Sequence, residues 1–329
     1  MNGPDLHIDE LRSGLAAALP SWNLPIDADI SLLSHSENTT FLARARDSGN
    51  ELVLRVQRIG YHRPDEIRSE LAWISALIES RVVDTPRPVA NRDGELLSCL
   101  DLNGVARHVV AFERMSGREP DQSTSLRSWF RELGAINARL HRHSVAWQRP
   151  HWFRRKTWDF DAMLGCRPLW GDWRAAPGLG PPERTILEKV AAALARRLRA
   201  YGMAEGKFGL VHADLRLANL LVDGDRLGVI DFDDCGFSWF FYDFAAAVSF
   251  FEHVPAVEEL QAIWLEGYRT IAAAAAEDEA MLPVFVMLRR MLLTAWIASH
   301  AETETARAAG DGFARTTVEM GERFLLQGA

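Results

Sequence analysis

Between residues 41 and 57 the chain carries two short strand-like runs. Phe41-Leu-Ala-Arg-Ala-Arg46 and Glu51-Leu-Val-Leu-Arg-Val-Gln57 flank Asp47-Ser-Gly-Asn50, a turn by composition, so they read as neighbouring strands. In the second run Leu52, Leu54 and Val56 fall on one face and Arg55 on the other, because strand side chains alternate. From residue 65 the period lengthens. Ile67, Leu71, Ile74 and Ile78 recur at intervals of 4, 3 and 4, which predicts a helix over 65–79. Pro86 and Pro88 end that unit, and strand-like sequence resumes, most strongly over 105–113. Residues 5–19 read as a short helix before the first strands. From about Leu126 helical spacing dominates, with a loop at 175–182. It breaks once, at 208–232, where short strands surround the hairpin signal Asp223-Gly224, and after Asp243 it runs helical to the end. The pattern predicts an α+β protein of two lobes, a β-rich lobe over 1–114 and a mainly helical lobe over 115–329, joined by a connector near 113–118.

The bulk numbers narrow the function more than the fold. A chain of 329 residues is comfortable for two lobes. A net charge of −8 argues against a general nucleic-acid binder, whose phosphate contacts need clustered Lys and Arg. Cys99, Cys166 and Cys235 are far apart and odd in number, which suggests neither a disulfide framework nor a zinc site. The start, MNGPDLHIDELRSGL, has no apolar signal core, and no apolar run is expected to reach the roughly 18 residues of a membrane span. The expectation is therefore a cytoplasmic protein with no nucleic-acid or membrane partner.

The chemistry is concentrated in Val211-His-Ala-Asp-Leu-Arg-Leu-Ala-Asn-Leu-Leu-Val222 and Gly228-Val-Ile-Asp-Phe-Asp-Asp234. His212-x-Asp214-x4-Asn219 places an acid and an amide five residues apart on one loop. Phosphoryl transfer needs a carboxylate for the acceptor hydroxyl and side-chain oxygens for Mg²⁺. Asp231, twelve residues after Asn219, is expected at the end of a strand on the far side of the hairpin, which would return it toward Asn219 so that both share a hard cation. Asp233, two residues on, would share that strand face and is either a further metal ligand or a solvated or capping residue.

This arrangement resembles the catalytic and metal-binding loops of the protein-kinase fold and, more narrowly, the aminoglycoside phosphotransferase and choline kinase superfamily. Tyr242-Asp243, Ser36-Glu-Asn-Thr-Thr-Phe41 and Leu140-His141 add to the similarity, and the whole chain follows its order of parts. Length and order are similar to the stress response kinase A and homoserine-kinase-like branches. The resemblance implies Asp214 as catalytic base, His212 as support of its loop, Asn219 and Asp231 as metal ligands, and Asp243 bracing the loop from behind.

On the nucleotide side the resemblance implies a strand-borne cation paired with a helix carboxylate. The position that matches is Arg55, and Glu70, fifteen residues on and beside an apolar stripe, is its natural partner. Arginine stands where the kinase fold carries lysine, and its planar fork changes the phosphate geometry. Ser34-His-Ser-Glu-Asn-Thr-Thr40 occupies the phosphate-loop position without a GxGxxG; Ser36, Asn38 and Thr39 either supply donors or form a plain turn. Glu113 and Met115 lie in the connector expected to meet adenine. Trp147, Trp152, Trp158, Trp170 and Trp173 either wall an acceptor pocket or pack helices. The reading is an ATP- and Mg²⁺-dependent phosphotransferase acting on a hydroxyl of a small aminoglycoside-, homoserine- or choline-like molecule. The rivals are a protein Ser/Thr kinase of the stress response kinase A type and a non-catalytic nucleotide-binding regulator.

Overall fold

The computed structural model describes residues 8–35, 38–102, 104–120, 126–301 and 303–327. The chain forms two compact units. The first takes Met1–Gly117 together with Gln148–Arg155 and Leu221–Asp233; the second takes Arg118–Trp147, Lys156–Leu220 and Asp234–Ala329.

Unit one opens with helix α1 (Ile8–Ala18) and strands β1 (Asp29–His35), β2 (Thr39–Arg44) and β3 (Glu51–Val56). Helix α2 (Pro64–Glu79) follows, then β4 (Pro88–Val89), β5 (Leu97–Leu102) and β6 (Val105–Glu113). The sheet runs β1-β2-β3-β6-β4, with β5 also paired to β6. β3 is interior, antiparallel to β2 and to β6, with Arg55 opposite Thr40 on one side and Val110 on the other. The alternation in β3 decides what each face meets. Leu54 and Val56 join Leu11, Leu15, Trp22, Phe41 and Val109 in one core, and Leu52 packs against it. Arg55 faces the other way and is nevertheless buried. Pro64 at the first turn of α2 and the Glu66 carboxylate accepting from Arg63 N fix the start of that helix, whose buried stripe includes Ile67, Glu70, Leu71, Ile74 and Leu77.

Unit two contains α3 (Leu126–Ala146), the single turn α4 (Phe160–Met163), α5 (Pro181–Tyr201) and β7 (Phe208–Val211). The next hairpin, β8 (Leu220–Asp223) and β9 (Arg226–Val229), turns at Gly224 with φ +61°, as the Asp-Gly pair predicts. All of it but Leu220 belongs to unit one, where Asp84 O accepts from Val229 N at 2.8 Å. Back in unit two, β10 (Gly236–Trp239) pairs antiparallel with β7, a strand beyond the expected 208–232 break. Helices α6 (Tyr242–Ala247), α7 (Ala256–Arg269), α8 (Ala276–Ala280), α9 (Leu282–Ser299) and α10 (Glu304–Leu326) complete it.

One expectation needs correction here. Among the described residues α9 is long and apolar enough, by length and composition, to cross a membrane, although no such run was expected. In the structure it is a core helix: nearly every residue from Leu282 to Ile297 is buried, including Arg289 and Arg290.

Candidate active site

In unit one the chemistry gathers around Arg55. Its Nη2 donates to both carboxylate oxygens of Glu70, at 2.8 and 2.7 Å. Glu70 is fully buried and Arg55 only 6% exposed, so the expected pair forms in a setting where neither charge tolerates loss of the other. Two more carboxylates approach: Asp231 Oδ1 lies 3.6 Å from Nη1 and Asp233 Oδ1 3.7 Å from Nη2. The guanidinium stands over the ring of Phe112, 5.3 Å from its centroid. With the Gln57 amide in the orientation its neighbours require, its oxygen accepts from Arg55 Nε at 3.0 Å and its nitrogen donates to Asn38 Oδ1 at 3.1 Å. These carboxylates hold the guanidinium pKa above its ordinary value although burial works to lower it.

The turn after β9 differs from expectation. β9 ends at Val229, so neither Asp231 nor Asp233 is strand-borne, and Asp231 adopts φ +62°. What orders the turn is the residue between them. Phe232 is buried edge-on against Trp73 of α2, with ring centroids 5.5 Å apart. The two aspartates then end in different surroundings. The Asp231 side chain remains 47% exposed. Asp233 is buried, with Oδ2 3.2 Å from His62 Nε2 and its backbone oxygen accepting from Arg155 Nη2. Burial pushes the Asp233 carboxyl up, but the charges of His62, Arg55 and Arg155 together hold it far below the usual carboxylate range.

Other expected nucleotide-side residues are occupied within unit one. Asn38 Oδ1 also accepts from Arg58 N at 3.1 Å, and Thr39 Oγ1 lies 3.0 Å from His35 Nδ1. Ser36 lies outside the described residues. Glu113 closes β6 opposite Leu52 and is exposed. Met115 packs against Gly228, where any side chain would collide with the Met115 sulfur. Glu113 and Met115 also line a cleft of about 210 Å³ with Asp84, Arg87, Asp223 and Arg226. It is bounded by the chain before β4 and by the β8–β9 hairpin, and none of the residues around Arg55 lines it.

In unit two the centre is Asp214. Its carboxylate is ringed by donors: Arg289 Nη2 on Oδ1, Asn219 Nδ2 on Oδ2 at 3.0 Å, and Arg216 Nε on Oδ2 at 3.3 Å. Asn219 Nδ2 also donates to the Asp214 backbone oxygen at 2.8 Å, tying the two expected loop residues together. Burial would raise the Asp214 carboxyl, but Arg216, Arg289 and His212 lower it below its ordinary value, so it is ionised at neutral pH. His212 is fully buried, and its Nδ1 faces Asp214 N at 3.4 Å. The residue between them, Ala213, has φ +67°, an uncommon conformation for a residue with a Cβ. Asp243 braces it: Oδ1 accepts from Ala213 N at 2.8 Å and Oδ2 from His212 N at 3.4 Å. Oδ2 also lies 3.0 Å from His141 Nε2 and 3.3 Å from Asn137 Nδ2, both on α3, and Trp264 Nε1 donates to Asn137 Oδ1 at 2.9 Å.

Sequence reasoning missed Arg289, Gln57, His62 and Arg155. Arg289 had a readable signal, since two arginines inside the apolar run of α9 must find partners. Gln57, His62 and Arg155 had none, because only the folded turns bring them to Arg55 and Asp233. Of the tryptophans, Trp158, Trp170 and Trp173 are buried, with Trp158 edge-on to Trp170 at 5.3 Å, while Trp152 is exposed. The buried three pack helices and turns.

The sequence model of the phosphotransferase enzyme family matches residues 29–280. The solved structure of the microcompartment-associated aminopropanol kinase superposes with a TM-score of 0.88 at 44% identity, covering 95% of this chain and 97% of that one. An amicoumacin kinase in complex with AMP-PNP, Ca²⁺ and Ami superposes with a TM-score of 0.77 at 21% identity, over 94% of this chain and 92% of that one, a likeness of fold. The amicoumacin kinase of Bacillus subtilis (strain 168) is 22% identical over 290 residues, 85% of this chain and 82% of its own length.

Proposed function

Since the chain belongs to the phosphotransferase enzyme family, we propose that it is a kinase that transfers the γ-phosphoryl group of ATP to the hydroxyl of a small amino alcohol. The observation that carries the reaction class is Asp214: an ionised carboxylate on a braced loop, tied to the amide of Asn219. The acceptor class rests on the 44% identity to an aminopropanol kinase over nearly the full length of both chains.

In this reading the acceptor hydroxyl oxygen attacks the γ-phosphorus, the bond to the β–γ bridging oxygen breaks, and ADP departs. The hydroxyl proton passes to the Asp214 carboxylate. A carboxylate held this acidic is a weak base, which suits a loose transition state that needs the hydroxyl aimed more than deprotonated early. The resemblance implies Asn219 and Asp231 as ligands of a hard divalent cation; taken singly, each offers a side-chain oxygen, and the Asp231 carboxylate is half-exposed. Asp233 commits its oxygens to His62 and Arg55 and is not counted among the cation's ligands. A divalent cation held there would supply positive charge against the nucleotide phosphates. Arg55, with Nη2 spent on Glu70, would present Nη1 to phosphate oxygens by charge-assisted hydrogen bonds.

The test is ADP release by purified protein with ATP and Mg²⁺ across aminopropanol isomers, ethanolamine, choline, homoserine, an aminoglycoside and casein. The expected result is the highest kcat/KM on an aminopropanol. Turnover confined to casein or to an aminoglycoside would overturn the acceptor assignment, and no turnover with any hydroxyl would overturn the kinase reading.

A further inference from the structure

Helix α9 places two buried arginines side by side, and they turn to different partners. Arg290 makes a structural set: Nη1 donates to Glu252 Oε2 at 2.9 Å, Nε to Thr317 Oγ1 at 2.8 Å, and Nη2 to Phe313 O at 2.9 Å. Arg289 turns to the loop around Asp214. Its Nε donates to Ser249 Oγ at 2.9 Å, its Nη1 to Tyr242 Oη at 3.2 Å and to Ala213 O at 3.3 Å, and its Nη2 to Asp214 Oδ1. Trp170 lies beneath the guanidinium, 5.4 Å from ring centroid to Cζ. The side chain is 2% exposed, so it reaches neither solvent nor a ligand and acts only through what it holds.

Two of those contacts act on backbone and carboxylate together. Ala213, strained at φ +67°, is held at its amide by Asp243 and at its carbonyl by Arg289. The neighbouring carboxylate is divided. Oδ1 is fixed by a buried guanidinium that is itself fixed by Ser249 and Tyr242. Oδ2 meets the Asn219 amide and Arg216, whose side chain is 37% exposed. Oδ2 is thus the oxygen with an exchangeable neighbour.

We infer that Arg289 is a positioning residue that clamps Oδ1 of Asp214 and the Ala213 carbonyl, leaving Oδ2 as the oxygen that receives the acceptor proton once Arg216 is displaced. The inference rests on the reading of Asp214 as proton acceptor.

The experiment compares Arg289→Met, Arg289→Lys and, as a control of equal burial, Arg290→Met. Three quantities are read: kcat and KM on the best amino alcohol, the melting temperature, and backbone amide exchange of the His212–Asp214 loop without substrates. Arg289→Met should cut kcat by more than about tenfold while the nucleotide KM stays within about twofold, a group acting on the proton acceptor rather than on binding. It should also speed amide exchange of the loop, because Ala213 loses the hold on its carbonyl. Arg289→Lys keeps the charge but not the fork, so kcat should recover only in part. Arg290→Met should lower the melting temperature and leave kcat and loop exchange unchanged. If Arg289→Met does not fold, Arg289→Lys decides alone, and wild-type kcat in that variant would overturn the clamp. Unchanged loop exchange in folded Arg289→Met would overturn it as well. Loop exchange needs no acceptor, so a failed amino-alcohol assignment and a failed clamp give different results.

Discussion

The two clusters are inversions of each other. In unit one the buried Arg55 is ringed by acid: Glu70 in direct contact, with Asp231 and Asp233 beyond. In unit two a single carboxylate, Asp214, is ringed by base: Arg289 on one oxygen and Arg216 on the other. Both arrangements keep the central group charged, Arg55 by raising its pKa and Asp214 by lowering it. They differ in what an anionic substrate meets. Around Arg55 the surplus carboxylates would repel phosphate unless a cation accompanies it, which fits a nucleotide that arrives with its metal. Around Asp214 the surplus arginines compensate the carboxylate, which fits a hydroxyl acceptor that brings no negative charge.

The largest effect that would sharpen this contrast is Asp214→Asn. It should cut kcat by about 10²–10⁴-fold, the usual worth of a positioned acid–base group, with nucleotide affinity nearly unchanged. Steady-state rates beside a nucleotide-binding titration check it, and a mutant turning over like wild type would remove Asp214 from the mechanism.

Next is the Arg55–Glu70 pair. Glu70→Ala leaves a buried guanidinium without its contact partner and should cost about 3–5 kcal/mol of stability, measured by denaturant unfolding. Arg55→Ala should weaken ATP binding, and the double mutant should fall short of the sum of the singles. Strictly additive losses would mean that the pair does not act as one.

Asp231→Ala should raise the Mg²⁺ needed for half-maximal rate more than Asn219→Ala does, because a carboxylate holds a hard cation more strongly than an amide. Identical metal titrations in wild type and both mutants would break the assignment of the cation to these residues.

A smaller effect concerns acid. The Asp214 and Asp233 carboxyls are depressed in the folded chain, so the stability they contribute is complete above the ordinary carboxylate range. It is lost as pH falls through their folded values. The melting-temperature gap between wild type and Asp233→Asn should therefore narrow in acid, and a gap that widened there would contradict the direction. The smallest effect is the reference point: Arg46→Ala breaks the exposed Arg46–Asp29 bridge and should leave unfolding and kinetics unchanged within error.

How far each cluster was legible follows from how its partners are separated along the chain. Arg55 and Glu70 are fifteen residues apart on consecutive elements: local periods of two and about 3.6 residues fix the face each occupies, and the family resemblance supplied the pairing. Asp214 and Asn219, five apart on one loop, were legible from their spacing and the resemblance, and the hairpin from its Asp223-Gly224 turn signal. The error at Asp231 and Asp233 was also local. Extending β9 past Val229 assumed continued alternation, but burying Phe232 against Trp73 requires a turn.

Local pattern together with the family resemblance was enough for the order of lobes, the strand that bears Arg55 and the loop that bears Asp214, because alternation, turn chemistry and motif spacing all act over a few residues. Tertiary structure alone decided that Arg289, 75 residues beyond Asp214, ends on its carboxylate. An apolar helix declares that its arginines must find partners, but which partners depends on the rotation and depth at which it packs, and no local period encodes those.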